Sequence, residues 1–141
     1  AMYGTTTASG RHGGGCRGAT APANRYLELE VRSATPQQLV VIVYDHLLAC
    51  LKRARLAIEG GEVETRTAQL GRAKDAIAEL VATLDHERGG EIARRLSGLY
   101  AFFLNELTDV GMHPDANRLS RVLDLVAELR DAWALAAEGA V

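Results

Sequence analysis

The sequence is poor in the residues from which sites are usually built. It holds two cysteines, Cys16 in a glycine-rich stretch and Cys50 inside a helical pattern. Their placement matches neither a disulfide framework nor a zinc site, so a reducing cytoplasm is the expected setting. None of the four histidines has a glutamate three residues before it, which excludes the Glu-x-x-His pattern of di-iron bundles. His12 and Cys16 offer two ligands, fewer than a zinc site needs. The stretch "GRHGGGCRG" lacks the Gly-Lys-Ser/Thr ending of a phosphate-binding loop. No run approaches the ~20 apolar residues of a membrane-spanning helix, and no N-terminal apolar run suits a secretory signal. The formal net charge is −2, from 16 basic and 18 acidic residues, which argues against nucleic acid or an anionic membrane as partner. No cofactor, metal or catalytic constellation is expected.

What is present points to helix. Apolar residues make up 48% of the 141 residues and aromatics 5%, with alanine and leucine, both strong helix formers, dominating. The length suits one domain. Residues 1–24 are mostly glycine, threonine and alanine, with little to bury against the entropy of ordering. They read as a flexible tail before a domain at 25–141. Thr35-Pro36-Gln37-Gln38 reads as a capping box with proline at the first helical position. The first helix then runs to Glu59 and stops at Gly60-Gly61. A second spans about 63–84 through Leu70, Ala73, Ile77, Leu80, Val81 and Leu84. After "DHERGG" a third spans about 91–108 through Ile92, Leu96, Leu99, Tyr100, Phe103 and Leu107, ended by "DVGMHPD". A fourth spans about 115–137 through Leu119, Val122, Val126, Leu129 and Trp133. Four such helices on short loops make an all-α, antiparallel up-down four-helix bundle.

One feature exceeds what a bundle requires. Leu39 to Tyr44 is six apolar residues in a row, although a rim helix needs a single apolar stripe. With Leu39, Val43, Leu47, Leu51, Ala54 and Ile58 assigned to the core, Ile42, Ala49 and Leu56 recur on another side, widened by Val41 and Leu48. The third helix repeats the excess: Phe102 and Leu104 point away from its core stripe. Part of this is the flank of a broad core. The remainder is expected to accept amphipathic helices of another chain, with Ile42, Leu48, Leu56, Phe102 and Leu104 as contacts. Other candidates read as surface. Asp45 and His46 project about 100° apart, His86 and His113 fall in expected loops, and Arg94-Arg95 and "LKRAR" suit solvated faces.

The ordered landmarks Tyr26, Thr35-Pro36, Tyr44-Asp45, Gly89 to Ala93, Leu99-Tyr100 and Trp133 resemble those of the flagellar secretion chaperone FliS family. The resemblance covers roughly Tyr26 to Trp133. It implies a non-enzymatic helical bundle that binds the C-terminal region of flagellin in the bacterial cytosol, prevents premature polymerisation and hands the subunit to a flagellar export-gate component. It also implies that the segment around Tyr26 and Leu27 packs on the bundle as a mobile cover. His46 stands where the family often has glycine, Val110-Gly111 replaces its Ala-Asn step, and the tail is longer and richer in glycine. Two other uses of such a bundle are weighed against this one. One is a helical adaptor that self-associates into a weak homodimer through the same patches. The other is a histidine phosphotransfer domain with His46 as phosphoacceptor, disfavoured because the following "LLAC" is apolar and brings no lysine.

Overall fold

Residues 28, 29 and 33–139 are described by the structure, a computed structural model. The expected tail, with Tyr26 and Leu27, lies outside them. Four helices account for residues 36–139: α1 (Pro36–Gly60), α2 (Val63–Ala82), α3 (His86–Met112) and α4 (Ala116–Gly139). The capping box forms as expected. The Thr35 hydroxyl accepts the Gln38 N–H at 3.1 Å, and Gln38 Oε1 accepts the Thr35 N–H at 2.9 Å. Pro36 has no N–H to leave unsatisfied at the first helical position. At the other end Gly61 turns into the left-handed region (φ 70°), and the Glu62 N–H reaches back to the Ala57 carbonyl at 2.8 Å. That bond satisfies one of the carbonyls a helix end leaves free.

The expected ends of the third helix need correction. Asp85 caps its start, accepting the Glu87 and Arg88 N–H groups at 3.1 and 3.0 Å. The helix therefore opens at His86, with a break at Gly90 (φ 51°, ψ −123°), a conformation essentially restricted to glycine. His86 is an exposed first-turn residue rather than a loop residue. At its far end the helix passes through Val110 and Gly111 to Met112. Val110 is fully buried, and that burial outweighs the ~1 kcal/mol cost of a helical glycine. Pro114 imposes the stop, because the residue before a proline is pushed out of the helical region; His113 sits at φ −131°, ψ 85°. Asp115 then caps α4 through the Arg118 N–H at 3.1 Å.

Connections of two or three residues make successive helices antiparallel. The ring closes between α1 and α4: Asp45 meets Arg130 and Arg55 meets Ser120, so ten residues forward on α1 match ten back on α4. α1 packs against α2 and α4, and α3 against the same two, which leaves α1 and α3 diagonal across the core.

Tyr44 and Tyr100 span that diagonal. Both are fully buried, and their hydroxyls are hydrogen-bonded to each other. Trp133 of α4 also hydrogen-bonds Tyr44. The indole N–H can only donate, so Tyr44 accepts from Trp133, and either hydroxyl can donate in the Tyr44–Tyr100 bond. The surrounding core is apolar: Leu47, Leu51, Ile77, Phe103, Leu107, Leu119 and Val126 are all fully buried, each stabilising the fold by about 1.5–3 kcal/mol.

The phase of α1 differs from the expected one. Its buried residues are Val40, Tyr44, Leu47, Cys50, Leu51, Ala54 and Ala57. Val43 and Ile58 are partly buried against this core, and Leu39 sits at the surface. In α3, Ala93 and Val110 are buried while Ile92 is 56% exposed. In α4, Leu123 and Ala137 join the expected stripe, with Leu129 and Trp133 partly buried.

Two outcomes follow. Thr35→Ala should lower stability by about 1 kcal/mol in urea unfolding, with faster hydrogen exchange confined to the first turns of α1. Burial and the neighbouring Tyr100 push the Tyr44 phenol far above its ordinary value of 10. The folded chain therefore keeps it neutral at pH values where the unfolded chain ionises it. Its contribution to stability is complete below about pH 10 and falls as pH rises beyond that. Urea titrations from pH 8 to 11 should show this alkaline loss, reduced in Tyr44→Phe.

Candidate functional site

Apolar side chains reach the surface on separate sides of the bundle. On α1, Ile42, Ala49 and Leu56 project away from the core at seven-residue spacing, on the face expected from the sequence. Leu56 is 63% exposed, whereas Ile42 is half-buried. Ile42 forms a wall of a groove between the N-terminal half of α1 and the C-terminal half of α4. Val41, Ala134 and Ala137 supply apolar lining, and Gln38, Asp45, Arg130 and Glu138 supply polar groups. The groove has a volume of about 410 Å³, and Ser33 and Ala34 stand at its mouth.

An ion pair runs along this groove. Arg130 Nε donates to Asp45 Oδ1 at 2.8 Å and Nη2 donates to Oδ2 at 3.4 Å, the two-pronged geometry that suits guanidinium to carboxylate. That contact raises the Arg130 pKa, with Asp131 adding to the effect. The pair fixes the spacing of α1 and α4 while leaving the apolar floor beside it uncovered.

Phe102 and Leu104 do not share a surface. Two residues along a helix they project about 200° apart, on opposite flanks of the buried stripe. The flank carrying Glu106 and Asp109 faces α4, since Arg118 bonds Glu106 at 2.7 and 2.8 Å and Asp109 at 2.9 Å. Phe102 lies on that flank, 45% exposed, its ring tilted against Phe103 with centroids 6.0 Å apart. In the antiparallel register set by Arg118, Phe102 falls opposite Leu125, which is 40% exposed. Leu104 lies on the other flank, which faces α2, and is partly buried against the core. Leu48 is likewise partly buried against the core. Tyr26 and Leu27 are outside the described residues.

Other groups weighed from the sequence resolve simply. His46 is exposed on α1, its Nε2 3.7 Å from the Cys50 sulfur. Cys50 is fully buried, and burial pushes its thiol pKa up against the opposing pull of Arg53 and Arg72. It is a core residue and lines no groove. Arg94 and Arg95 pair with Glu91 at 2.7 and 3.4 Å on a solvated face. Among the described residues no group of three His, Cys, Asp or Glu side chains is placed to hold a metal, and no helix is long and apolar enough to cross a membrane.

Comparison with known proteins places this architecture. The family model of the flagellar protein FliS matches residues 19–140. The chain belongs to the FliS family. It is 37% identical over 117 residues to the flagellar secretion chaperone FliS of Salmonella typhimurium, covering 82% of this chain and 87% of that one. The FliS of Campylobacter jejuni is 32% identical over 110 residues, 78% of this chain and 86% of its own. The FliS of Escherichia coli is 30% identical over 118 residues, with 83% and 87% covered. The FliS match takes in all four helices, and with them both the groove and the α3–α4 edge.

Sequence reasoning missed several exposed apolar residues of this FliS-family bundle. Leu125 and Leu135, the latter 70% exposed, lie off the core stripe of α4. The wheel that singled out Ile42 and Leu56 finds them as well. Ile92 went unrecognised because it extends the stripe in phase; only its place beside the Gly90 break leaves it outside. Val63 and Met112, 56% and 69% exposed, stand at helix ends where periodicity carries no signal.

The Arg118 cluster provides a pH test. The bond from Arg118 holds the Glu106 carboxyl below its ordinary range. Its stabilising contribution is present above the usual carboxylate value of about 4.3 and lost as pH falls through the depressed folded value. Thermal unfolding between pH 7 and pH 3 should show a smaller acid loss for Glu106→Gln than for the parent chain.

Proposed function

We propose that this bundle is a flagellin export chaperone of the bacterial cytosol. It lays the C-terminal helices of flagellin on its exposed apolar surfaces, keeps the subunit from polymerising, and passes it to the export gate of the flagellar type III secretion apparatus. The observation that carries the reading is the amount of apolar side chain left outside the core, on α1 and on the α3–α4 edge, in a chain whose family includes named flagellar secretion chaperones. A groove that a partner helix can enter at one side and a shallow edge at another suit a client held at more than one place. The bundle acts by mass action: it binds the export-competent form and turns nothing over.

In this reading Ile42 and Leu56 are the α1 contacts and Phe102, with Leu125 opposite, the contact on the α3–α4 edge. Leu48 stiffens the α1 wall beside them, and Leu104, on the α2 flank of α3, touches the client separately at its exposed margin. Tyr26 and Leu27, outside the described residues, complete the client-contact set as a mobile cover.

Each such side chain newly covered contributes about 1.5–3 kcal/mol. The double variant Ile42→Asp, Leu56→Asp should therefore weaken binding of a flagellin C-terminal peptide at least about 100-fold in calorimetry, with helicity by circular dichroism unchanged. Binding at full strength by that folded variant removes the α1 face from the site. Failure of the parent chain to bind any flagellin C-terminal peptide at micromolar concentration removes the function.

A further inference from the structure

The outward face of α1 is nearly symmetric about Ala49. Ile42, Ala49 and Leu56 form an apolar line at seven-residue spacing, about 21 Å from end to end. Asp45 and Lys52 form a second line beside it, about 60° round the helix, and both are exposed. Their opposite charges stand four residues before Ala49 and three after it. Lys52 takes part in no ion pair among the described residues. The Asp45 side chain, though paired with Arg130, stays 52% exposed, and a carboxylate has lone pairs for a second cation.

We propose that this face pairs with the same face of a second copy of the chain, the two α1 helices running antiparallel across a two-fold axis at Ala49. An isologous contact requires a self-complementary surface, and three features of this one meet the requirement. The axis sets residues equally far before and after Ala49 opposite each other, so Ile42 packs on Leu56 of the second copy. Ala49 meets its own counterpart, where small side chains allow helix axes to approach to roughly 8 Å. Antiparallel pairing keeps each flank on its own side, so Asp45 meets Lys52 of the second copy, within one residue of register. Each of these unlike pairs occurs twice.

The other flank brings His46 to Arg53 of the second copy, a contact without repulsion while the imidazole is neutral. Parallel pairing would join opposite flanks and set Lys52 beside Arg53, cation against cation. Among the outward helix faces, α1 is the one with two large apolar residues in line; Phe102 on α3 and Leu135 on α4 stand singly. Two apolar pairs over so short a span make a contact smaller than that of stable dimers, so it exchanges readily. It covers Ile42 and Leu56, and a second copy therefore competes with the client for α1. That competition rests on the client reading. The pairing itself does not, and its test uses no client.

Sedimentation equilibrium of the full-length chain should show its average mass rising with concentration from monomer toward dimer. Lys52→Glu and Asp45→Lys should each weaken self-association about tenfold, because each sets like charges at both exposed sites, with helicity by circular dichroism unchanged. An equimolar mixture of the two variants should regain the parent's association, since the mixed dimer has unlike charges at both sites. In a Cys16→Ser background, Ala49→Cys should link copies on mild oxidation. Lys52→Cys should link far more slowly, its counterparts lying about 9 Å apart along the axis. A parent chain that stays monomeric at millimolar concentration, a mixture no more associated than its components, or equal linking at both positions overturns the pairing.

Discussion

The hydrogen bond between Tyr44 and Tyr100 is the contact on which the rest of the bundle is arranged. α1 and α3 are not neighbours in the ring, so apolar packing alone links them only through α2 and α4. A polar link across the core adds a requirement that apolar packing lacks. Rotation of either helix that separates the two hydroxyls loses this buried hydrogen bond, which contributes about 0.5–1.5 kcal/mol net. Trp133 extends the condition to α4, since its indole donates to Tyr44. Three of the four helices are thereby held in one rotational setting. Which apolar residues face outward is decided by that setting, because fixing Tyr44 and Tyr100 inward turns Ile42, Leu56 and Phe102 away from the core.

This gives the surplus apolar surface a structural meaning. A bundle free to rotate its helices would relieve exposed leucines by turning them inward. Here the aromatic network holds them out, and short connections capped at Thr35, Gly61, Asp85 and Asp115 hold the helix ends. The Asp45–Arg130 and Glu106–Arg118 pairs sit at the edges between neighbouring helices, where charge sets spacing without filling the grooves. The exposed apolar faces are thus preorganised, which lowers the cost of binding compared with surfaces that must first rearrange.

Much of the fold was legible in the sequence because it rests on local chemistry. Thr35-Pro36-Gln37-Gln38 satisfies its own backbone groups, so the start of α1 needs no knowledge of its neighbours. The phase of α1 was less legible for a physical reason. Six consecutive apolar residues contain no polar one to mark the outside, so stripes through Leu39 and Val43 or through Val40 and Tyr44 fit equally well. The choice depends on Tyr100, 56 residues away. The end of α3 was misjudged because Gly111 carries a local stop signal that the burial of Val110 overrides. That Leu56 and Phe102 face outward was legible from periodicity alone. That Phe102 and Leu104 belong to different edges required knowing that α3 lies between α2 and α4.

The break at Gly90 separates two questions that an unbroken helix would answer together. In a continuous helix every residue inserted upstream turns all later side chains by about 100°. Here the turn capped by Asp85 ends at a glycine whose dihedrals interrupt the helical phase, and the buried run from Ala93 to Val110 takes its orientation from the core alone. The length of the corner between α2 and α3 is therefore uncoupled from the rotational setting that brings Tyr100 to Tyr44. The short capped turn works as a swivel, isolating the rotational setting of the interior from the geometry of the corner.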